Sequence, residues 1–79
     1  ISFIAGIKVA GIDRIGILHD ISGVISAELN LNIKSFSLNA EDGYTEGEFK
    51  LFVEDVQTLN RLLMNLREVD GVRKVTRVD

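Results

Sequence analysis

The chain has 79 residues, of which 46% are hydrophobic, and it carries a formal net charge of −3 and no cysteine. This length gives one domain near the lower end of what folds alone, and the absence of cysteine excludes disulfides, thiolate metal sites and cysteine nucleophiles. The negative charge argues against general affinity for a nucleic-acid backbone.

The N-terminal segment and the methionine content bear on the origin of the chain. Residues 1–9 are apolar, but they are far fewer than the ~20 residues of a membrane span and no basic leader precedes them, so no membrane segment is expected. The first residue is Ile1 and the only methionine is Met64. We therefore expect a single domain, residues 1–79, cut from a longer cytoplasmic protein.

The first predicted elements are a strand and a helix. Residues 2–10 alternate between two faces, which indicates a strand in the middle of a sheet. The face expected to be buried carries Phe3, Ala5, Ile7 and Val9. Gly11 is expected to end this strand, and Asp13 to cap the helix that follows. The apolar stripe of that helix consists of Ile17, Leu18, Ile21, Val24, Ile25 and Leu29. Asn30 tolerates the left-handed conformation in which helices often end.

A β-hairpin is predicted in the middle of the chain. The apolar residues of the strand 31–40 change phase near Lys34–Ser35, which predicts a bulge. Asp42–Gly43 suits a type I′ turn, because both of its central residues need positive φ. The return strand, 45–54, alternates apolar and charged residues, and Phe52 is the exception on the charged face.

A second helix and a short strand, 72–78, complete the predicted fold. Asp55 is expected to cap the helix and Asp70–Gly71 to end it. The apolar residues of this helix are Val56, Leu59, Leu62, Leu63, Leu66 and Val69. The succession of elements predicts an α+β, ferredoxin-like βαββαβ fold, in which a four-stranded antiparallel sheet carries both helices on one face. The first and third strands are then central, and the second is an edge that invites pairing with another copy.

The turn from Gly11 to Gly16 is the best candidate for a functional site. One interpretation is purely structural, a tight strand-to-helix connection. The other is a binding turn, because a helix N-terminus offers free N–H groups to a carboxylate and Gly16 permits close approach. Asp13 would hold an ammonium group, and Ile12, Ile15 and Ile17 would meet an apolar side chain. A small free amino acid suits this combination.

No catalytic, metal-binding or cofactor-binding set is recognised in the sequence. His19 is the only histidine and adjoins Asp20, but adjacent residues of a helix point about 100° apart and form no relay. Base stacking on RNA needs aromatic residues on the central strands, where only Phe52 is expected on the open face. The domain is therefore expected not to be an enzyme. The candidates for contact with a phosphate backbone are the basic residues near the C-terminus, which are Arg67, Arg73, Lys74 and Arg77.

The sequence resembles a known family over nearly its whole length, including residues 31–33, 42–43, 49–55 and 59–72. The stretch from Val9 to Leu18, followed by Asp20–Ile21, resembles the opening of an ACT domain, a regulatory module that senses amino acids and has the βαββαβ fold. The ending, residues 56–63 and 69–72, is most similar to the C-terminal ACT domain of RelA/SpoT-type GTP pyrophosphokinases, which make the alarmone (p)ppGpp and often hydrolyse it. The family often has proline where this chain has Ile15, so the turn is expected to be less rigid.

The resemblance implies a function and a set of site residues. The domain would regulate a (p)ppGpp synthetase/hydrolase by sensing a small amino acid, with a branched-chain one favoured, or by contacting other domains of its parent enzyme. ACT dimers commonly pair side by side, which places the second strand of one copy over the turn of the other. The implied ligand residues are Gly11, Ile12, Asp13, Arg14, Ile15, Gly16, Asn32 and Ile33. The alternatives are a module that docks on protein or ribosomal RNA without a ligand, and an ACT domain of an amino-acid biosynthetic enzyme.

Overall fold

Strands and helices follow one another in the predicted order. The computed structural model describes residues 1–78. Its elements are β1 (Phe3–Ile12), α1 (Ile17–Gly23), a π-helical turn (Val24–Glu28), β2 (Asn32–Glu41), β3 (Tyr44–Val53), α2 (Val56–Arg67) and β4 (Val72–Arg77). The π-helical turn follows α1 without a break, so the two form one continuous helical segment.

The four strands form one antiparallel sheet in the order β2-β3-β1-β4. The predicted ferredoxin-like fold is therefore confirmed, with β1 and β3 in the centre and β2 at an edge. β1 and β3 pair along their whole length, from Phe3 opposite Val53 to Ile12 opposite Tyr44. Within residues 1–78, no helix is both long enough and apolar enough to cross a bilayer.

The core lies between one face of the sheet and the helical layer. The sheet contributes Ala5, Ile7, Val9, Phe49, Leu51, Val53 and Val75, and the helical layer contributes Ile17, Ile21, Val24, Ile25, Leu59, Leu62 and Leu66. The buried strand residues recur every second position and the buried helix residues every third or fourth, which matches the two periods in the sequence. Burial of each valine, leucine, isoleucine or phenylalanine side chain in this core contributes about 1.5–3 kcal/mol to folding.

The turn and bulge predictions are confirmed by the backbone. Asn30 ends the helical segment at φ 53°, and Asp42 and Gly43 have φ values of 53° and 83°. The register of β2 against β3 shifts between Ile33 and Ser35, where the sequence predicted a bulge.

The cap of α2 is also as predicted. The Thr58 backbone N–H donates to the Asp55 carboxylate over 2.6 Å. This hydrogen bond lowers the pKa of Asp55 from its usual value of 3.8, because it stabilises the charged form.

Two predictions about glycines need correction. Gly11 does not end β1, which continues to Ile12; a Cβ on Gly11 would lie 2.4 Å from the Gly71 carbonyl oxygen. Close approach of two backbones, rather than a turn, therefore requires a glycine at this position. α2 ends at Arg67, so Gly71, with φ 92°, belongs to the turn into β4 and not to the helix terminus.

The predicted cap of α1 is wrong. α1 begins at Ile17, its N-cap is Gly16 in the left-handed conformation (φ 85°), and no side chain caps it. Asp13 lies too far before the helix and accepts a hydrogen bond from Thr45 Oγ1 instead. A tertiary partner on β3 has replaced the local partner that the sequence suggested.

The outer half of β2 extends beyond the helical layer. Phe36, Leu38 and Ala40 face the helix side of the sheet, since they pair with Phe49, Gly47 and Thr45, yet all three are exposed. The ring of Phe36 stacks on that of Phe49 with centroids 5.7 Å apart, but 52% of Phe36 and 40% of Leu38 remain exposed. β2 therefore presents an apolar strip beside its free edge.

Candidate functional site

The β1–α1 turn is the point at which three turns of the fold meet. The Ile12 backbone N–H donates to the Gly71 carbonyl over 3.0 Å, and the Asp13 N–H donates to the Gly43 carbonyl over 2.9 Å. Gly43 closes the β2–β3 hairpin, and Gly71 closes the turn from α2 to β4. The predicted binding turn is therefore attached through its backbone to both halves of the fold.

The side chain of Arg14 stabilises this junction through three hydrogen bonds. Its guanidinium donates through Nε to the Asp70 carbonyl (3.0 Å), through Nη1 to the Ile15 carbonyl (3.1 Å) and through Nη2 to Asp20 Oδ2 (2.7 Å). The bond to Asp20 is also an ion pair. Arg14 thus links β1 to α1 and to the turn before β4. These contacts stabilise the conformation of the turn, which has no proline to restrict its backbone.

Asp13 is exposed, but one of its oxygens is held in place. Thr45 Oγ1 donates to Asp13 Oδ1 over 3.0 Å, and Thr45 is itself buried, with 3% of its surface exposed. Among residues 1–78, no hydrogen bond to the other oxygen, Oδ2, is found. A carboxylate oriented by one buried donor and open on its other side is suited to an ammonium group.

Gly16 and Ile15 form the exposed tip of the turn. An added Cβ at Gly16 would meet only Arg14 Nη1, at 3.5 Å, so glycine is needed there for its positive φ and not for packing. Ile15 is fully exposed. An apolar side chain presented in this way has surface to offer a ligand or a second protein chain.

Asn32 and Ile33 lie at the other end of the sheet from the turn. Asn32 pairs with Phe52, whereas Ile12 pairs with Tyr44, and these two β3 residues are roughly 26 Å apart at about 3.3 Å per residue. One copy of the chain therefore brings together the turn residues Gly11 to Gly16 and keeps Asn32 and Ile33 away from them. Only a second copy can place both groups in one pocket.

The sequence interpretation missed Thr45 and the role of Arg14. Thr45 stands in the buried phase of β3, two residues before Gly47 and four before Phe49. A polar side chain in a buried phase needs a hydrogen-bonding partner. This rule could have identified Thr45 from the sequence as a residue with a specific partner. The Arg14 contacts carry no comparable signal, because Asp70 is 56 residues away in the chain.

The remaining polar residues give no sign of a catalytic centre. His19 is exposed. Within the described part of the chain, no three histidine, cysteine or acidic side chains are grouped closely enough to hold a metal ion. The turn offers a means of binding, since it presents an oriented carboxylate, backbone groups and apolar surface.

Comparison with known proteins decides the family. The model of the ACT domain family matches residues 2–77. The chain belongs to the ACT domain family. Its fold is thus that of a regulatory domain.

Three relatives are informative for this ACT domain. It is 35% identical over 71 residues to the guanosine-3′,5′-bis(diphosphate) 3′-pyrophosphohydrolase of Aquifex aeolicus, and the match covers 90% of this chain but 10% of that enzyme. It is 32% identical over 65 residues to a UPF0237 protein of Clostridium perfringens, covering 82% of this chain and 68% of that protein. It superposes with a TM-score of 0.88 on the ACT domain from the GTP pyrophosphokinase of Chlorobium tepidum, at 37% identity, covering 99% of this chain and all of that structure (100%).

Proposed function

We propose that this ACT domain regulates a cytoplasmic (p)ppGpp synthetase/hydrolase, of which it forms one part, by binding a small amino acid at the turn 11–16. The resemblance to two domains of alarmone enzymes supports the choice of parent. The observation that carries the binding proposal is the exposed carboxylate of Asp13, oriented by the buried hydroxyl of Thr45 over 3.0 Å.

Each part of an amino acid has a matching group at the turn. The ammonium group pairs with the open oxygen of Asp13, and the carboxylate accepts from backbone N–H groups between Arg14 and Gly16. An apolar side chain packs against Ile12 and Ile15. A branched-chain amino acid is favoured, because isoleucine side chains flank the turn and no second acidic or basic side chain is left free within it.

The proposed pocket is completed by a second copy through the edge of β2. In an antiparallel pair, opposite residues face the same side of the sheet, so two copies must pair in a register that keeps the apolar strip on one face. Centring the two-fold axis on Ser37 places Phe36 of each copy opposite Leu38 of the other. The bulge between Ile33 and Ser35 shifts this register by one residue, so Ile33 and Asn32 of the second copy lie opposite Ala40 and Glu41.

This register supports the predicted contribution of Asn32 and Ile33. The hairpin turn beside Asp42 is bonded to the binding turn, since the Gly43 carbonyl accepts from the Asp13 N–H over 2.9 Å. The second copy therefore adds an amide and an apolar side chain next to the carboxylate. Pairing also covers the exposed surfaces of Phe36 and Leu38.

Calorimetry with valine, isoleucine and serine tests the binding proposal. Gly16→Asp places a second negative charge beside Asp13 and fills the approach to the backbone, and aspartate tolerates the positive φ of Gly16 better than most residues. We expect affinity for the branched-chain amino acids to fall by about tenfold or more. Gly23→Asp is the matched control, because it adds the same charge on the helix, where a Cβ meets nothing. Equal binding by the wild type and Gly16→Asp would refute a site at this turn.

Sedimentation velocity tests the shared pocket. Leu38→Lys puts two like charges near the proposed two-fold axis, so we expect dimers of the wild type and monomers of this variant. Met64→Lys, at an exposed apolar position of α2, is the control and should leave the dimer intact. A wild type that stays monomeric at high concentration contradicts the shared pocket.

A second candidate function is docking on ribosomal RNA. Arg73 and Lys74 are exposed on the edge strand β4, where they are placed to contact phosphates. Arg67 is less available than the sequence suggested, because its Nη2 donates to the Val75 carbonyl over 3.1 Å. The double variant Arg73→Glu/Lys74→Glu of the full-length parent should then lose ribosome association, whereas Arg61→Glu on α2 should keep it. Unchanged association of the double variant would rule this function out.

A further inference from the structure

A groove of about 540 Å³ lies between two parts of the helical layer. One wall is formed by α1 with its π-helical turn, and the other by the C-terminal end of α2 and the residues that follow it. None of the residues that line the groove belongs to the turn 11–16. Its lining consists of His19, Asp20, Gly23, Val24, Ala27, Glu28, Asn65, Glu68, Val69 and Asp70. We call Gly23, Val24 and Ala27 the floor of the groove, and the exposed acidic residues of its two walls the rims.

The floor of the groove contains a glycine that the fold does not require. Gly23 has φ −62° and ψ −42°, an ordinary right-handed helical conformation, and a Cβ added there would meet nothing within 4 Å. Glycine within a helix is unfavourable relative to alanine. Its absent side chain leaves the floor open for close approach by another surface, together with Ala27 one turn further along.

A π-helical turn shapes the same wall. The Leu29 N–H donates to the Val24 carbonyl, five residues earlier, over 3.2 Å. Such widened turns are rare and occur frequently at functional sites. This π-helical turn begins directly after Gly23. The widened backbone and the glycine that the fold does not require therefore lie side by side in the wall of the groove.

The rims carry four acidic side chains and His19, and among residues 1–78 no lysine or arginine lines the groove. Asp20 is compensated, since Arg14 contacts it over 2.7 Å. Glu28 receives only a long hydrogen bond of 3.4 Å from Asn65 across the groove. Glu68 and Asp70 are exposed on the opposite rim, and Arg67, next in the chain, is directed to β4. The groove therefore complements a cationic partner.

The geometry points to a docking groove for a basic amphipathic helix of a second protein. An apolar strip of that helix lies on Gly23, Val24 and Ala27, and its lysine or arginine side chains reach Glu28 and Glu68 on opposite rims. Charge complementarity and a concave apolar floor are the features that helix-in-groove recognition uses. This inference is independent of ligand binding at the turn.

A synthetic helical peptide tests the groove. The probe is an amphipathic peptide of about four turns made of leucine and lysine, and its counterpart has glutamate in place of lysine. Titration into the 79-residue chain, followed by NMR, should shift amide signals within residues 19–28 and 65–70. The glutamate peptide should shift none of them. Shifts spread over the open face of the sheet would overturn the assignment.

Two variants separate a specific groove from general charge attraction. Glu28→Lys/Glu68→Lys should weaken binding by about tenfold or more, since two rim contacts become repulsive. Glu48→Lys/Glu54→Lys changes the net charge by the same amount on exposed residues elsewhere and should alter binding by less than about twofold. Gly23→Leu, which fills the floor without a charge change, should also weaken binding. Equal losses in both charge variants, or full binding by Gly23→Leu, would overturn the proposal.

Discussion

Replacing Gly11 by alanine tests the close contact between the turn 11–16 and the turn into β4. The new Cβ would lie 2.4 Å from the Gly71 carbonyl oxygen and 3.0 Å from the Val72 Cα. Ordinary contact begins near 3.4 Å, so the two backbones must separate by roughly 1 Å, the difference between 3.4 and 2.4 Å. The obstacle is backbone on both sides, which cannot rotate away as a side chain would.

The expected cost follows from two contributions. Overpacking of this kind costs about 1–3 kcal/mol. The hydrogen bond from the Ile12 N–H to the Gly71 carbonyl, now 3.0 Å, would be stretched beyond a useful length and would cost a further ~0.5–1.5 kcal/mol. Together these give a loss of about 1.5–4.5 kcal/mol. A domain of 79 residues has a total stability of about 4–12 kcal/mol, so Gly11→Ala should remove a large share of it.

Urea unfolding of Gly11→Ala beside Gly23→Ala measures this effect. Gly23 has helical angles and open space around it, so its replacement by alanine should raise the free energy of unfolding by up to about 1 kcal/mol. The two variants make the same chemical change and should move stability in opposite directions. A loss of less than about 0.5 kcal/mol in Gly11→Ala would show that the contact does not constrain the fold.

Three further substitutions probe the junction and the cap of α2. Thr45→Val removes the hydrogen bond to Asp13 and should lower the free energy of unfolding by about 1 kcal/mol while weakening amino-acid binding, as urea titration and calorimetry would show. Arg14→Ala should lower it by about 1–2 kcal/mol, because the link to the Asp70 carbonyl and two other hydrogen bonds are lost. The folded-state pKa of Asp55 is lowered from 3.8, so its contribution is present above about pH 4 and is lost as the pH falls through that lowered pKa. Asp55→Asn should remove this part of the pH dependence in acid-unfolding curves.

Local chemistry accounts for what the sequence predicted correctly. The alternation of residues 45–54 and the three-and-four spacing after Ile17 depend only on neighbours in the chain, so the strands, helices and sheet order followed from them. The positive φ values at Asn30 and Asp42–Gly43 likewise belong to individual residue types. Asp55 caps its helix as expected because no distant group competes for its carboxylate.

Distant partners account for what the sequence did not reveal. Asp13 had a local role available as a helix cap, but Thr45, on another strand, holds its carboxylate. Gly11 was interpreted as a turn residue because nothing nearby in the chain shows that the Gly71 backbone lies against it. The residues proposed for the site were chosen from local features, and the attachment of their turn to two other turns became visible only in three dimensions.

The central claim is that the turn 11–16 binds a small amino acid, and NMR titration of the isotope-labelled chain tests it most directly. On addition of millimolar valine or isoleucine, the amide signals from Gly11 to Leu18 should move and saturate, together with those of Asn32 and Ile33 from the second copy. Signals around the groove between the helices should stay in place. If no amide between Gly11 and Leu18 moves with either amino acid, the turn is not the binding site and the account is contradicted.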